Sequence, residues 1–284
     1  MTLQARPPGA HELAVAEALL PGTALDGATV VSGGSHDVVR VPGVAAVRIA
    51  RSAPAVESLA RRSALLVALA RAGLPFAVPE PLGPVTSTAG WTAVAVSWVP
   101  GREAPRGEGD PDVLRGVLDA LAGVDLAPLE CLLDVPHAYA GRERWEELML
   151  DVAVPLLPER LRASARRRIA EAVALEPVPP RLVHGDLAGE NMHWSEDGRL
   201  LGVIDWDLAH AFDPAVDVAC LAFTHGWPVI GRTVDARTYE RARVWAGTFP
   251  IEQLVKYRLD GVDDTEMDRW VANVTRWMDV DGHG

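Results

Sequence analysis

One stretch limits what this chain can become. Residues 182–191 read Leu-Val-His-Gly-Asp-Leu-Ala-Gly-Glu-Asn, and Val203-Ile204-Asp205-Trp206-Asp207 follows. Asn191 to Trp194, the turn Ser195-Glu196-Asp197-Gly198 and Leu200 to Ile204 read as a hairpin that carries Asp205 out at its end. An acid, an amide and a second acid therefore come in fixed order: Asp186, Asn191 five residues on, and Asp205 fourteen beyond that. Asn191 offers a neutral carbonyl oxygen and Asp205 an anionic one, both hard ligands suited to Mg²⁺.

Kinase-type phosphoryl transfer uses this order. One Asp sits beside the acceptor hydroxyl, an Asn five residues later holds metal, and a further Asp holds the metal that bridges the nucleotide phosphates. Asp186 fits the first role, Asn191 and Asp205 the other two. Positioning and charge neutralisation carry most of this catalysis, so a weak base suffices at Asp186. His184 has two readings, a brace of the loop through backbone hydrogen bonds or a general base; the brace is preferred, because Asp186 already fills the acceptor side. A lone His-x-Asp without a second His nearby makes a poor zinc site. Asp207 reads as a solvated loop acid, with a metal or substrate contact as the alternative. In Asp213-Pro214-Ala215-Val216-Asp217, Asp213 reads as a helix cap, and Asp217 as an acceptor for the catalytic-loop backbone.

With Ile-Asp-Trp and Asp-Pro-x-x-Asp downstream of His-Gly-Asp-x-x-x-x-Asn, the chain resembles the aminoglycoside phosphotransferase family, small-molecule kinases with a protein-kinase-like fold. The resemblance implies an α+β fold with two lobes. Residues 1–100 would form a small β-rich N-lobe on the nucleotide side, and residues 101–284 a larger, mostly helical C-lobe with the catalytic loop and acceptor pocket. It implies ATP (or GTP) and Mg²⁺ as cofactors. The loop Asp-Leu-Ala-Gly-Glu-Asn is similar to that of the tuberactinomycin (viomycin and capreomycin) branch of the family.

The N-terminal part supports this in places and departs from it in others. Thr29-Val30-Val31, Val38 to Val41 and Ala45 to Ala50 read as strands, with Ser32-Gly33-Gly34-Ser35 at the first turn. Glycines there let backbone N–H groups approach a phosphate. Arg48 lies where the family places its phosphate-binding lysine; Arg can hold phosphate oxygens bidentately. Lys256 is the only lysine of the chain, which also excludes a Walker A loop. The helix read over Val56 to Ala72 should carry a Glu near Ser63 to pair with the basic strand residue, and no carboxylate stands there. Glu57, six residues away, lies about 240° around the helix, so Arg48 must be oriented by something else. Trp91 to Val99 reads as a strand that ends in the family's hinge, where backbone groups around Ser97 and Val99 would hydrogen-bond adenine.

Composition narrows the partners. A formal net charge of −12 argues against nucleic acid and suits a cationic small-molecule acceptor. No run of about 18 apolar residues is present, so no membrane span is expected. Two cysteines and no recognisable signal peptide make the cytoplasm the expected setting. The expected activity is antibiotic inactivation by O-phosphorylation of an aminoglycoside or tuberactinomycin peptide. The alternatives are a macrolide, homoserine, choline or sugar-amine kinase, or an inactive nucleotide-binding relative. Glu252, Asp260, Asp263, Asp264, Glu266 and Asp268 read as solvated helix-face charges, and Trp227, Trp245 and Trp270 as core.

Overall fold

A computed structural model describes residues 5–281. In chain order the elements are α1 (Ala10–Leu19), β1 (Thr29–Ser32), β2 (His36–Val41), β3 (Ala45–Ala50), α2 (Ala53–Ala70), β4 (Thr86–Thr88), β5 (Trp91–Ser97) and α3 (Pro111–Ala122). Next come α4 (Trp145–Leu148), a π-helical turn at Met149–Ala153, α5 (Val154–Leu156), α6 (Glu159–Val173), β6 (Arg181–Val183), β7 (Met192–Trp194), β8 (Leu200–Val203) and β9 (His210–Phe212). The chain closes with α7 (Ala215–His225), α8 (Trp227–Thr233), α9 (Ala236–Ala246), α10 (Phe249–Leu259) and α11 (Asp264–Asp281).

Two compact units emerge. The first takes the chain up to Ala104 together with Val124–Leu133 and Gly189–Asp207; the second takes Pro105–Gly123, Asp134–Ala188 and the chain from Leu208 onward. The hairpin β7–β8 thus groups with the N-terminal sheet, and the boundary falls inside the loop, between Ala188 and Gly189.

In the first unit, five antiparallel strands lie in the order β1-β2-β3-β5-β4. Alternation along β3 decides which face each residue serves: Val47 and Ile49 are fully buried, and Arg48 between them points to the other side. Val15 and Ala16 of α1 join Val30, Val39, Val47, Ile49 and Ala93 in one apolar cluster. Burying a side chain the size of Ile49 stabilises the sheet by about 1.5–3 kcal/mol. Helix α1 is absent from the sequence reading; its start at Gly9 is closed by Glu12, which also bonds Arg6. Helix α2 begins at Ser52, whose hydroxyl accepts from Ala55 N–H, and buries Leu59, Leu65, Leu66 and Leu69.

The second unit is mainly helical. Asp110 caps α3, whose Leu114, Val117 and Leu121 form the buried stripe that helical spacing demands. Helix α7 is buried nearly all round and packs on α8 and α9. Of the three tryptophans read as core, Trp245 is buried. Trp227 and Trp270 are half-buried: Trp227 meets the ring of Tyr239 edge-on with the Arg243 guanidinium over its face, and Trp270 stacks on Tyr257. No helix among the described residues is long and apolar enough to cross a membrane.

Candidate active site

The question raised by the missing helix carboxylate has a geometric answer. Arg48 on β3 donates from Nη2 to Asp207 Oδ2 at 2.6 Å and to Asp205 Oδ1 at 3.3 Å. Arg62, one residue before Ser63 on α2, donates from Nη1 to the same Asp207 oxygen at 2.8 Å. The reading of Asp207 as a solvated loop acid is therefore overturned: its side chain is 12% exposed and bound by two guanidiniums. Burial opposes its ionisation, but Arg48 and Arg62 outweigh burial and hold its carboxyl below the ordinary value.

Local backbone explains how the two acids come to the arginines. Strand β8 ends at Val203, so Asp205 and Asp207 do not share a strand face. Asp205 instead adopts a left-handed φ of 59°, uncommon for a residue with a Cβ. Trp206 between them turns inward, 1% exposed, with its indole N–H bonded to the Val203 carbonyl at 2.9 Å. Asp205 is left with a side chain 51% exposed. The Asn191 carbonyl accepts from Ile204 N–H at 2.9 Å, tying the end of the catalytic loop to the residue before Asp205. Asn191 itself is buried.

His36, at the foot of the Gly-rich turn, closes the cluster. It is buried and its Nδ1 lies 3.4 Å from Arg48 Nη2. Burial, with Arg48 beside it, lowers its pKa to about 4. The ring is therefore neutral at pH 7, and its 3.5 Å approach to Asp207 Oδ2 is not an ion pair. The turn Ser32-Gly33-Gly34-Ser35 is pinned from both ends: Gly33 N–H donates to the His36 carbonyl, and Arg51 grips the carbonyls of Gly33 and Ser35.

The hinge is more engaged than its sequence suggests. Ser97 N–H donates to the Glu80 carbonyl, and its hydroxyl accepts from Glu80 N–H. The Val99 carbonyl accepts from His193 Nδ1 at 2.8 Å. This segment crosses close over the β7–β8 hairpin. A Cβ on Gly202 would lie 2.4 Å from Val99 Cγ1, and one on Gly101 3.0 Å from the His193 backbone. Both positions need glycine for that approach.

In the second unit the catalytic loop is held by a carboxylate with no cation. Asp217, 1% exposed, accepts from His184 N–H at 2.8 Å and from Gly185 N–H at 2.9 Å. Burial pushes its carboxyl up to about 7 against the pull of these two bonds. His184 is fully buried, and its Nδ1 accepts from Asp186 N–H at 3.2 Å. Gly185 has φ of 83°, and a Cβ there would meet the Leu208 carbonyl at 2.7 Å. The glycine of His-Gly-Asp is thus required by backbone conformation and by packing.

Two buried clusters escaped the sequence reading. Asp213 accepts from Arg241 Nη2, Trp245 Nε1 and Ala215 N–H at 2.6, 2.8 and 3.0 Å, so it is an ion-paired anchor as well as a turn acceptor. Glu252, read as a solvated charge, is 2% exposed and bonded to His137 Nδ1 at 2.9 Å. Burial together with Glu252 also raises the Tyr139 hydroxyl well above its ordinary pKa. The available signal for Glu252 was its place among Ile251, Leu254 and Val255, the apolar residues that α10 buries.

An antiparallel five-stranded sheet, a braced His-Gly-Asp loop and a hairpin that delivers a second Asp define a kinase-like phosphotransferase. The chain belongs to the phosphotransferase enzyme family (APH), whose model matches residues 27–251. It is 33% identical over 270 residues to viomycin phosphotransferase of Streptomyces vinaceus, covering 88% of this chain and 93% of that protein. In fold it resembles APH(2")-IIia in its GDP and kanamycin complex, with a TM-score of 0.78 at 19% identity over 97% of this chain and 99% of that one. It also resembles macrolide 2'-phosphotransferase type I, with a TM-score of 0.69 at 18% identity over 98% of each chain.

Proposed function

We propose that this chain is a Mg-ATP-dependent O-phosphotransferase that inactivates a cationic tuberactinomycin peptide such as viomycin by phosphorylating one of its hydroxyls. The observation that carries this reading is the 33% identity to viomycin phosphotransferase across nearly the whole chain, with Asp186, Asn191 and Asp205 all intact. The acidic balance, −12, suits an acceptor rich in amines and guanidines.

In this reading Asp186 orients the acceptor hydroxyl and takes its proton as the acceptor oxygen bonds the γ-phosphorus and the bond from that phosphorus to the bridging oxygen breaks, releasing ADP. Asn191 and Asp205 hold Mg²⁺. The donor set fits a hard cation: an amide oxygen, and a carboxylate left half-exposed by the left-handed turn. The metal supplies charge neutralisation on the phosphates. The turn Ser32-Gly33-Gly34-Ser35 would lie against the phosphates and offer them backbone N–H groups other than that of Gly33, which is bonded to the His36 carbonyl, and Arg48 adds a guanidinium. Ser97 and Val99 receive the adenine. Because Ser97 N–H and the Val99 carbonyl already have partners, the base would use the Ser97 carbonyl and Val99 N–H. His184 and Asp217 brace the loop that presents Asp186.

The test is incubation with ATP, Mg²⁺ and a panel of tuberactinomycin peptides, aminoglycosides, macrolides and amino-alcohols, each followed by mass spectrometry. Gain of one phosphate on viomycin or capreomycin, lost without Mg²⁺, is the expected result. Transfer confined to another class would remove the acceptor assignment and keep the reaction.

A further inference from the structure

The kinase-like site ordinarily orients its phosphate-binding cation with a carboxylate on the neighbouring helix. Here α2 presents a cation instead. We propose that Asp207 is the positioning residue for Arg48 and that Arg62 is a second phosphate-binding cation, the two together replacing the absent helix carboxylate. This rests on the phosphotransferase reading above.

Three observations support it. First, one oxygen, Asp207 Oδ2, receives both guanidiniums, at 2.6 Å from Arg48 and 2.8 Å from Arg62, so a single carboxylate sets the position of each. Second, the arginines keep donors in reserve. All side-chain contacts of Arg48 to Asp205, Asp207 and His36 run through Nη2, which leaves Nε and Nη1 to a ligand. Nε of Arg62 is enclosed and has no hydrogen-bond partner. That enclosed donor is out of a ligand's reach, but Arg62 binds Asp207 through Nη1, which leaves Nη2 for a phosphate oxygen. Third, the charges balance only without a ligand. Arg48 and Arg62 face Asp205 and Asp207, two against two, with His36 neutral. Once Asp205 serves a metal ion, two guanidiniums share one carboxylate, and the surplus positive charge suits a polyphosphate. Asp207 would keep the pair from springing apart.

The experiment compares wild type with Asp207→Asn, Arg62→Gln, Arg62→Lys and the double variant Asp207→Asn/Arg62→Gln. Calorimetry reads affinity for a non-hydrolysable ATP analogue with Mg²⁺, and steady-state kinetics reads kcat and the KM for ATP and for acceptor separately. Each single neutral variant is expected to weaken nucleotide binding at least about tenfold with acceptor KM unchanged. The double variant should lose little beyond the worse single, because the residues act as one unit, and Arg62→Lys should recover part of the loss. Affinities within about twofold of wild type, or losses that multiply in the double variant, would overturn the proposal. If Asp207→Asn does not fold, the two Arg62 variants decide the matter alone. A wild-type protein that binds the analogue but phosphorylates no acceptor would sink the transferase reading and leave this test standing.

Discussion

Asp207 is part-buried and Asp217 buried, and the two aspartates fix their surroundings by opposite means. Asp207 is gripped by two guanidiniums and held below its ordinary pKa. Asp217 accepts from two backbone N–H groups, and burial drives it up to about 7. A carboxylate met by cations secures charged side chains that must stay adjustable toward a ligand. A carboxylate met by amides secures backbone, and serves where a loop needs one shape.

The largest expected effect separates the two. Asp207→Ala leaves Arg62 without its counter-charge and Arg48 with only its longer contact to Asp205, and should cost about 3–5 kcal/mol in urea unfolding. Asp217→Ala orphans two backbone donors at about 1–3 kcal/mol each, offset in part by removing a carboxylate that is half-protonated near pH 7. If Asp217→Ala proves the costlier by a clear margin, the contrast between charge-held and amide-held loops fails.

The same contrast explains what could be read from the chain and what could not. Asp217 was legible through the family resemblance, whose Asp-Pro-x-x-Asp segment sets it on the first turn of the helix that follows the catalytic stretch. The strands, α3 and the hairpin to Asp205 were legible from alternation and capping. The Arg48–Asp207–Arg62 cluster was not. Its pairs are separated by 159 and 145 residues, and no local pattern links them. The sequence exposed only the vacancy near Ser63 that the cluster fills. Asp207 was misread because an acid just past the end of a hairpin looks solvated, whereas a left-handed Asp205 and an inward Trp206 turn it toward Arg48 and Arg62. Glu252 was misread because α10 also carries Lys256 and Arg258, so one more charge there looks solvated until His137 closes over it from a distant segment.

pH sharpens the comparison through its sign. His36 has a folded pKa of about 4 against 6.5 unfolded, so its contribution is complete above pH 6.5 and is lost as pH falls toward 4. Asp217 has a folded pKa of about 7 against 3.8, so its contribution is complete below pH 3.8 and is lost as pH rises toward 7. Within those windows each slope approaches about 1.4 kcal/mol per pH unit. Stability of His36→Asn and Asp217→Asn, each measured relative to wild type from pH 4 to pH 8, should drift in opposite directions. Parallel drifts would contradict the assigned environments.

The smallest effect is a calibration. Asp235 accepts Thr238 N–H at 2.9 Å at the exposed start of α9, the same hydrogen-bonding work as Asp217 but in water. Asp235→Ala should cost about 1 kcal/mol, with no change in activity. A loss as large as that of Asp217→Ala would show that burial is not what distinguishes the brace.

The central claim is that Asp186 presents a hydroxyl of a tuberactinomycin peptide to Mg-ATP. It is tested most directly by the initial rate of viomycin phosphorylation in wild type and Asp186→Asn, with binding of a non-hydrolysable ATP analogue measured on both. The account predicts a Mg²⁺-dependent wild-type rate that falls by about 10²–10⁴-fold in the variant, with nucleotide affinity nearly unchanged. An Asp186→Asn protein that phosphorylates viomycin at the wild-type rate would contradict it.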